Sequence, residues 1–188
     1  MHIFDAVKKR LRSIRRKRLA AFGRDDRGVT MIEFGLLAVP FFTMIAAILE
    51  TALVFLASQI LDSAVQDASR LVRTGQAQAN NYTLTSFNTA ICNELFGLFD
   101  CSNLKTKVSV VSSFASATTT SSPLSPTDPT TWTLQPAFTP GVGLSVIMVQ
   151  VYYKWPIIMT FGGFGLATSS DGTRLFSATR VFANEPFS

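Results

Sequence analysis

One short stretch of the chain carries residue types and spacing that bear on covalent chemistry: Asp25-Asp26-Arg27-Gly28-Val29-Thr30-Met31-Ile32-Glu33-Phe34. Gly28 closes a charged segment, Glu33 stands five residues later inside an apolar run, and the aromatic Phe34 follows it. An ordinary secretory signal places its cleavage site after the apolar segment, at small residues. Here the candidate site precedes that segment. A cut between Gly28 and Val29 would therefore remove the charged part and leave the apolar part in place. An ionised carboxylate in a helix entering a bilayer is costly, by a few kcal/mol or more, unless it is paired. The same cut creates a partner for Glu33 in the new α-amino group of Val29. Within one helix these residues are one turn apart; alternatively the amine meets Glu33 of a neighbouring subunit and sets axial register in an assembly. The other reading is that Glu33 sits at the interface and reaches toward water.

The charge distribution sets this junction apart. Residues 1–28 hold ten Lys/Arg and three Asp, net +7, whereas the remaining 160 residues hold seven Lys/Arg and nine acids, net −2. The sequence pI of 9.6 describes a tail rather than a basic domain. With 47% hydrophobic and 15% charged residues, the 188-residue chain is too apolar for a disordered protein and too poorly charged for a typical soluble one. His2, in the tail, is the single histidine, so the rest of the chain has no imidazole for a metal site or a catalytic triad. No catalytic residue, metal ligand or cofactor site is assigned. Asp62, Asp67, Glu94 and Asp100 are scattered without metal-ligand spacing and read as a solvated surface.

Within residues 4–22, Phe4, Val7, Leu11, Ile14 and Phe22 fall at helical spacing, and Lys8, Lys9, Arg10, Arg12, Arg15, Arg16, Lys17 and Arg18 form a basic patch on the other faces. Such a segment suits an anionic leaflet, a nucleic acid or an import receptor. The apolar run directly after it decides among them. From Val29 to Leu61 the charges are Glu33 and Glu50 alone, and residues 29–49 supply 21 mostly apolar positions, where a bilayer span needs about 20. This predicts a transmembrane helix over residues 29–50, with Pro40 removing one backbone hydrogen bond and kinking it. Basic residues immediately before the span place the N-terminus in the cytoplasm and the rest on the far side.

The helix is expected to continue as an amphipathic stalk over residues 51–75. Ala57, Ile60, Leu61, Ala64, Val65, Ala68, Leu71 and Val72 keep a 3.6-residue stripe, Arg70 and Arg73 suit the C-terminal dipole, and Gly75 is a fitting cap. A helix from about Thr30 to Thr74 is a rod of about 65 Å. Residues 76–188 then form a small exported domain. Thr85 or Ser86 is placed to cap a short helix bearing Phe87, Ile91 and Leu95. Strands are predicted at 108–114, 144–153 and 173–183, and residues 115–140, rich in Ser, Thr and Pro, form an exposed loop. The order suggests an α+β fold in which a small antiparallel sheet packs on the stalk helix. Cys92 and Cys101 are the only cysteines. On this topology they lie in an oxidising compartment, where a bridge adds about 2 to 3 kcal/mol; two buried thiols are the alternative.

Arg27-Gly28 followed by Val29-Thr30-Met31-Ile32-Glu33-Phe34 and a long apolar helix resembles the class III prepilin signal of the TadE-like pseudopilins, minor components of the bacterial tight-adherence (Tad/Flp) pilus system. The similarity is specific over about residues 24–74, including Ser63 to Arg73. Beyond it, Arg180-Val181-Phe182-Ala183-Asn184-Glu185-Pro186-Phe187 is similar to the ending of many members. The basic leader is longer than the shortest pilin leaders. The resemblance implies a pilin-like architecture, cleavage after Gly28 by an aspartic prepilin peptidase, and residence in the inner membrane with a periplasmic C-terminal domain. It also implies a structural role alongside the major Flp pilin, a TadF-like partner and the inner-membrane platform, with membrane lipids as surroundings.

Phe161-Gly162-Gly163-Phe164-Gly165 lacks the spacing of a phosphate-binding loop and reads as an apolar turn. Together with Trp155 to Thr160 it is buried in the core by default, or else touches the membrane surface or another subunit. Asn81-Tyr82-Thr83 is a sequon of no weight outside a glycosylating compartment. Three function classes are compatible with these features: the pseudopilin; an unprocessed single-pass envelope scaffold or adhesion protein that keeps its basic tail as a lipid clamp; and a nucleic-acid-binding or imported protein. The last is disfavoured, because a span directly after the basic run already explains those charges.

Overall fold

The computed structural model describes residues 29–118, 122–161 and 164–187. The chain divides into two units, Met1–Ala47 and Ile48–Ser188. Of the first unit the described residues are Val29–Ala47, all within helix α1 (Val29–Arg73). None of them is buried, and Met31, Ile32, Phe34, Leu36, Leu37, Val39, Phe41, Phe42 and Met44 expose most of their surface. Among the described residues α1 is the one helix long and apolar enough to cross a membrane.

In the second unit α1 becomes one wall of a core. Its buried positions are Val54, Ala57, Leu61, Ala64, Val65, Ala68, Ser69 and Val72, with Ile60 and Leu71 partly buried beside them. The predicted stripe is therefore the packed face, lengthened by one turn at Val54. The helix ends one residue before the predicted Thr74, where the Gly75 N–H donates to the Val72 carbonyl at 3.2 Å and Gly75 takes the left-handed φ of +80°. Helix α2 (Gln76–Ala79) comes next, then α3 (Leu84–Asn93). The cap of α3 is Thr83, not Thr85 or Ser86: its hydroxyl accepts from the Ser86 N–H at 3.3 Å while the Ser86 hydroxyl accepts from the Thr83 N–H at 2.7 Å. The two residues satisfy each other across the three-residue spacing of a capping box. Phe87 and Ile91 of α3, and Leu95 beyond it, are fully buried.

The main sheet has the order β2-β1-β3-β6, from β1 (Lys105–Val111), β2 (Ala137–Phe138), β3 (Val146–Pro156) and β6 (Thr173–Ala183); β4 (Thr160–Phe161) and β5 (Phe164–Gly165) pair separately. The α+β class stands, with a mixed sheet in place of an antiparallel one. β1 and β6 each pair antiparallel to the central β3, and β2, from within the Ser/Thr/Pro segment, adds parallel to β1 with Lys107 opposite Ala137. Two residues are too short a strand for sequence periodicity to show. Register puts Thr106, Val108, Ile147, Val149, Val151, Tyr153, Phe176 and Ala178 on one face, and all eight are buried. The apolar members share a single core with the α1 stripe and α3. Arg180, on the same face, reaches the Asp62 carboxylate of α1 at 2.5 Å. Asp62 is thus an ion-pair partner rather than a bare solvated acid.

Part of the Ser/Thr/Pro segment closes on itself and on β3. Leu124 bridges to Trp132 and is buried. The Lys154 ammonium lies 5.5 Å from the centre of the Trp132 ring and donates to the carbonyls of Pro129 and Thr130 at 3.2 and 2.8 Å. The Thr130 and Thr131 hydroxyls and the Thr130 N–H donate to Asp128 and lower its carboxyl from 3.8 to about 2. Cys92, in the last turn of α3, is bonded to Cys101, with Cα atoms 6.1 Å apart. The C-terminal run closes the far end of α1: the Glu185 N–H donates to the Arg73 carbonyl at 2.9 Å and its carboxylate pairs with the Arg73 guanidinium at 3.1 Å. This satisfies a carbonyl that every helix C-terminus leaves open.

These contacts predict three outcomes. Gly75→Ala should lower unfolding stability by about 1 to 2 kcal/mol from its left-handed backbone alone, and the new Cβ would also stand 2.7 Å from the Phe187 ring; denaturant unfolding of the detergent-solubilised chain measures this. Replacing Cys92 and Cys101 together by Ser should cost about 2 to 3 kcal/mol in the same assay. Because the folded Asp128 carboxyl lies below its unfolded value, its hydrogen bonds contribute fully above pH 3.8 and are lost as pH falls through about 2. Thr130→Val should move the Asp128 midpoint back toward 3.8, read from the carboxyl 13C shift against pH.

Candidate processing junction and the helix behind it

Val29, on the C-terminal side of the predicted scissile bond, is the first described residue and lies in α1. Gly28 itself, and the basic patch of Lys8, Lys9, Arg10, Arg12, Arg15, Arg16, Lys17 and Arg18, lie outside the described residues. Helical geometry places Val29 and Glu33 one turn apart on the same side. Glu33 and Phe34 are both exposed. No Lys or Arg among the described residues lies within ion-pair distance of Glu33. The arrangement leaves an acceptor one turn inside the helix, where a free amine on Val29 would reach it. Pro40 lies inside α1 and has no N–H to offer the Leu36 carbonyl one turn back.

Farther along α1, the second acid of the apolar run has partners that residue types alone do not announce. Glu50 accepts the backbone N–H groups of Ile158 and Met159 at 2.6 and 3.0 Å through one carboxylate oxygen. The available signal was a charge in an otherwise apolar stretch, which asks for a partner. The partner is main chain 108 residues away, and no side-chain pattern identifies it. Of the other acids, Asp100 caps the Cys101–Asn103 turn, accepting from the Ser102 N–H at 3.0 Å and its hydroxyl at 2.7 Å; these bonds hold its carboxyl below the ordinary value. Asp171 accepts the Thr173 hydroxyl and N–H and pairs with Lys154 at 3.0 Å, again lowering its carboxyl. These acids organise turns. No cluster of His, Cys, Asp and Glu suited to a metal occurs among the described residues.

Trp155 belongs to the core edge, stacked on Phe176 at 5.5 Å and edge-on to Phe99 at 5.2 Å. Two residues on, the chain leaves the sheet, and Ile158 is 87% exposed. The default expectation of core burial therefore holds for Trp155 and fails for Ile158. Gly162 and Gly163 lie outside the described residues.

No curated protein and no solved structure matches the chain. A family model does, described as TadE-like protein, and its match covers residues 28–70. It begins at Gly28 and runs through the exposed apolar half of α1 and most of its packed half. Residues 28–70 are thus a TadE-like region, the family that the Gly28 to Phe34 motif resembles.

Proposed function

We propose that this chain is a TadE-like pseudopilin: a substrate of a prepilin peptidase, cut between Gly28 and Val29, with a structural role in assembling or initiating a Tad/Flp-type pilus used in surface adhesion and biofilm formation. The observation that carries the reading is that two boundaries adjoin at the candidate cleavage point. The family match starts at residue 28 and the basic segment ends at Arg27, with Val29 and the residues after it in the apolar helix. The family supports a role tied to the Tad pilus, and the long apolar helix is a candidate single-pass membrane anchor.

In this reading residues 1–28 are a cytoplasmic leader, residues 29–50 span the inner membrane, residues 51–75 form a stalk and residues 76–188 a periplasmic domain. The apolar surface of residues 29–47 finds no cover within the described chain. Lipid covers it before assembly and neighbouring helices cover it in a fibre, since packing of close-fitting apolar helices needs no aqueous driving force. After the cut, the Val29 amine supplies a partner for Glu33, which has no Lys or Arg partner among the described residues. The chain is then acted upon by a catalyst and is not one itself. Its partners are the peptidase, the major Flp pilin, a TadF-like pseudopilin, the inner-membrane platform and membrane lipids, with no nucleic acid among them.

The N-terminus and intact mass of the protein from native membranes test this, with and without the candidate peptidase. A peptidase-dependent start at Val29 is the expected result. An intact Met1 under conditions where the pilus system is active overturns it and leaves the unprocessed envelope scaffold or adhesion protein.

A further inference from the structure

The excursion between β3 and β6 departs after the closing pair Pro156–Thr173. Residues 155–170 contain no charged side chain. The Lys154–Asp171 ion pair at 3.0 Å brackets this stretch at its base. Its leading part, Ile157-Ile158-Met159, is held against α1 by the two hydrogen bonds to Glu50, and Ile158 turns outward at 87% exposure.

Where Glu50 sits on α1 gives the exposure a meaning. The exposed apolar surface of the helix does not end there: Leu53, Phe55 and Leu56 are each more than half exposed, about one and a half turns farther on. Glu50 and the turn it holds therefore sit below the upper edge of the helix's apolar surface. A carboxylate at such a level is partly stripped of water and needs donors. The turn brings two N–H groups to one oxygen, and in doing so sets an uncharged, apolar segment beside the helix at the depth where a bilayer's polar layer would lie.

We propose that the turn of residues 157–159 is a second membrane contact, seated in the interfacial layer of the leaflet that α1 exits, with Ile158 among the lipids and Glu50 as its tether. The occupant is a lipid surface, because Glu50 ties the turn to α1 at a level where exposed apolar residues of the helix, Leu49 and Leu53, stand on either side of it in sequence. A protein partner would give no reason for the turn to stop at that level. The inference rests on the reading of α1 as a membrane span.

The test uses the full chain with its Cys92–Cys101 bond intact, carrying one added thiol labelled with an environment-sensitive nitrobenzoxadiazole dye. The chain is reconstituted in phosphatidylcholine–phosphatidylglycerol vesicles. Three sites are compared: Ile158→Cys; Leu37→Cys within the span; and Val142→Cys, an equally apolar exposed residue beyond the opposite end of β3. The expected result is that dye at 37 and 158 loses about half its intensity or more to spin-labelled lipids, with 158 answering best to a shallow label, as interfacial depths of about 5–10 Å require. Dye at 142 should answer only to aqueous iodide. Lipid quenching at 37 with iodide quenching at 158 overturns the second contact and leaves the span intact. Shielding of 158 from both quenchers means a protein covers it and overturns the contact too, as does equal lipid quenching at 142 and 158. No lipid quenching at 37 removes the span, and this proposal with it.

Discussion

The packing of a small-residue stripe of α1 against one face of the sheet is the contact on which the second unit depends. Ala57, Ala64, Ala68 and Ser69 lie on that stripe, with Leu61, Val65 and Val72 set between them. Alanine loses no side-chain entropy on burial, and the stripe shares one core with Val149, Val151 and Ala178 of the sheet. The Asp62–Arg180 pair crosses the same interface at its half-exposed edge. Its energetic share is modest, but it places a guanidinium from the sheet's inner face beside one helical carboxylate.

Polar contacts at two levels of α1 then connect it to distant parts of the chain. At the level of Glu50 a carboxylate receives main-chain donors from the β3–β6 excursion. At the other end, the Arg73 carbonyl and guanidinium receive Glu185, while the Asn184 amide donates to the carbonyls of Pro140 and Val142 at 2.9 and 3.0 Å. The Asn184-Glu185-Pro186-Phe187 ending thus closes a helix terminus.

The candidate processing junction stands apart from that packing. Val29, Glu33 and Phe34 contribute nothing to the core, and each is exposed in the first two turns of α1. Among the described residues, the core of the second unit begins at Val54, 25 residues beyond Val29.

The sequence by itself determined the elements whose signal is periodic or compositional. The apolar run, the stripe from Ala57 to Val72 and the three long strands come from patterns repeated over many residues, although the first strand lies at Lys105–Val111, three residues before the expected 108–114, and Gly75 marks the helix terminus by residue type alone. The start of the TadE-like match at residue 28 coincides with a local order of charge, small residue, acid and aromatic that the sequence displays directly. The tertiary structure alone decided what single residues meet. Thr83 rather than Thr85 caps α3 because the reciprocal hydroxyl lay three positions on, and Ala137–Phe138 joins β1 in parallel because the Ser/Thr/Pro segment folds back far enough to reach it. Glu50, Asp62 and Arg73 acquire partners more than a hundred residues away. Such pairings depend on where two distant backbones are brought by the core, and a local pattern of residue types carries no record of that distance.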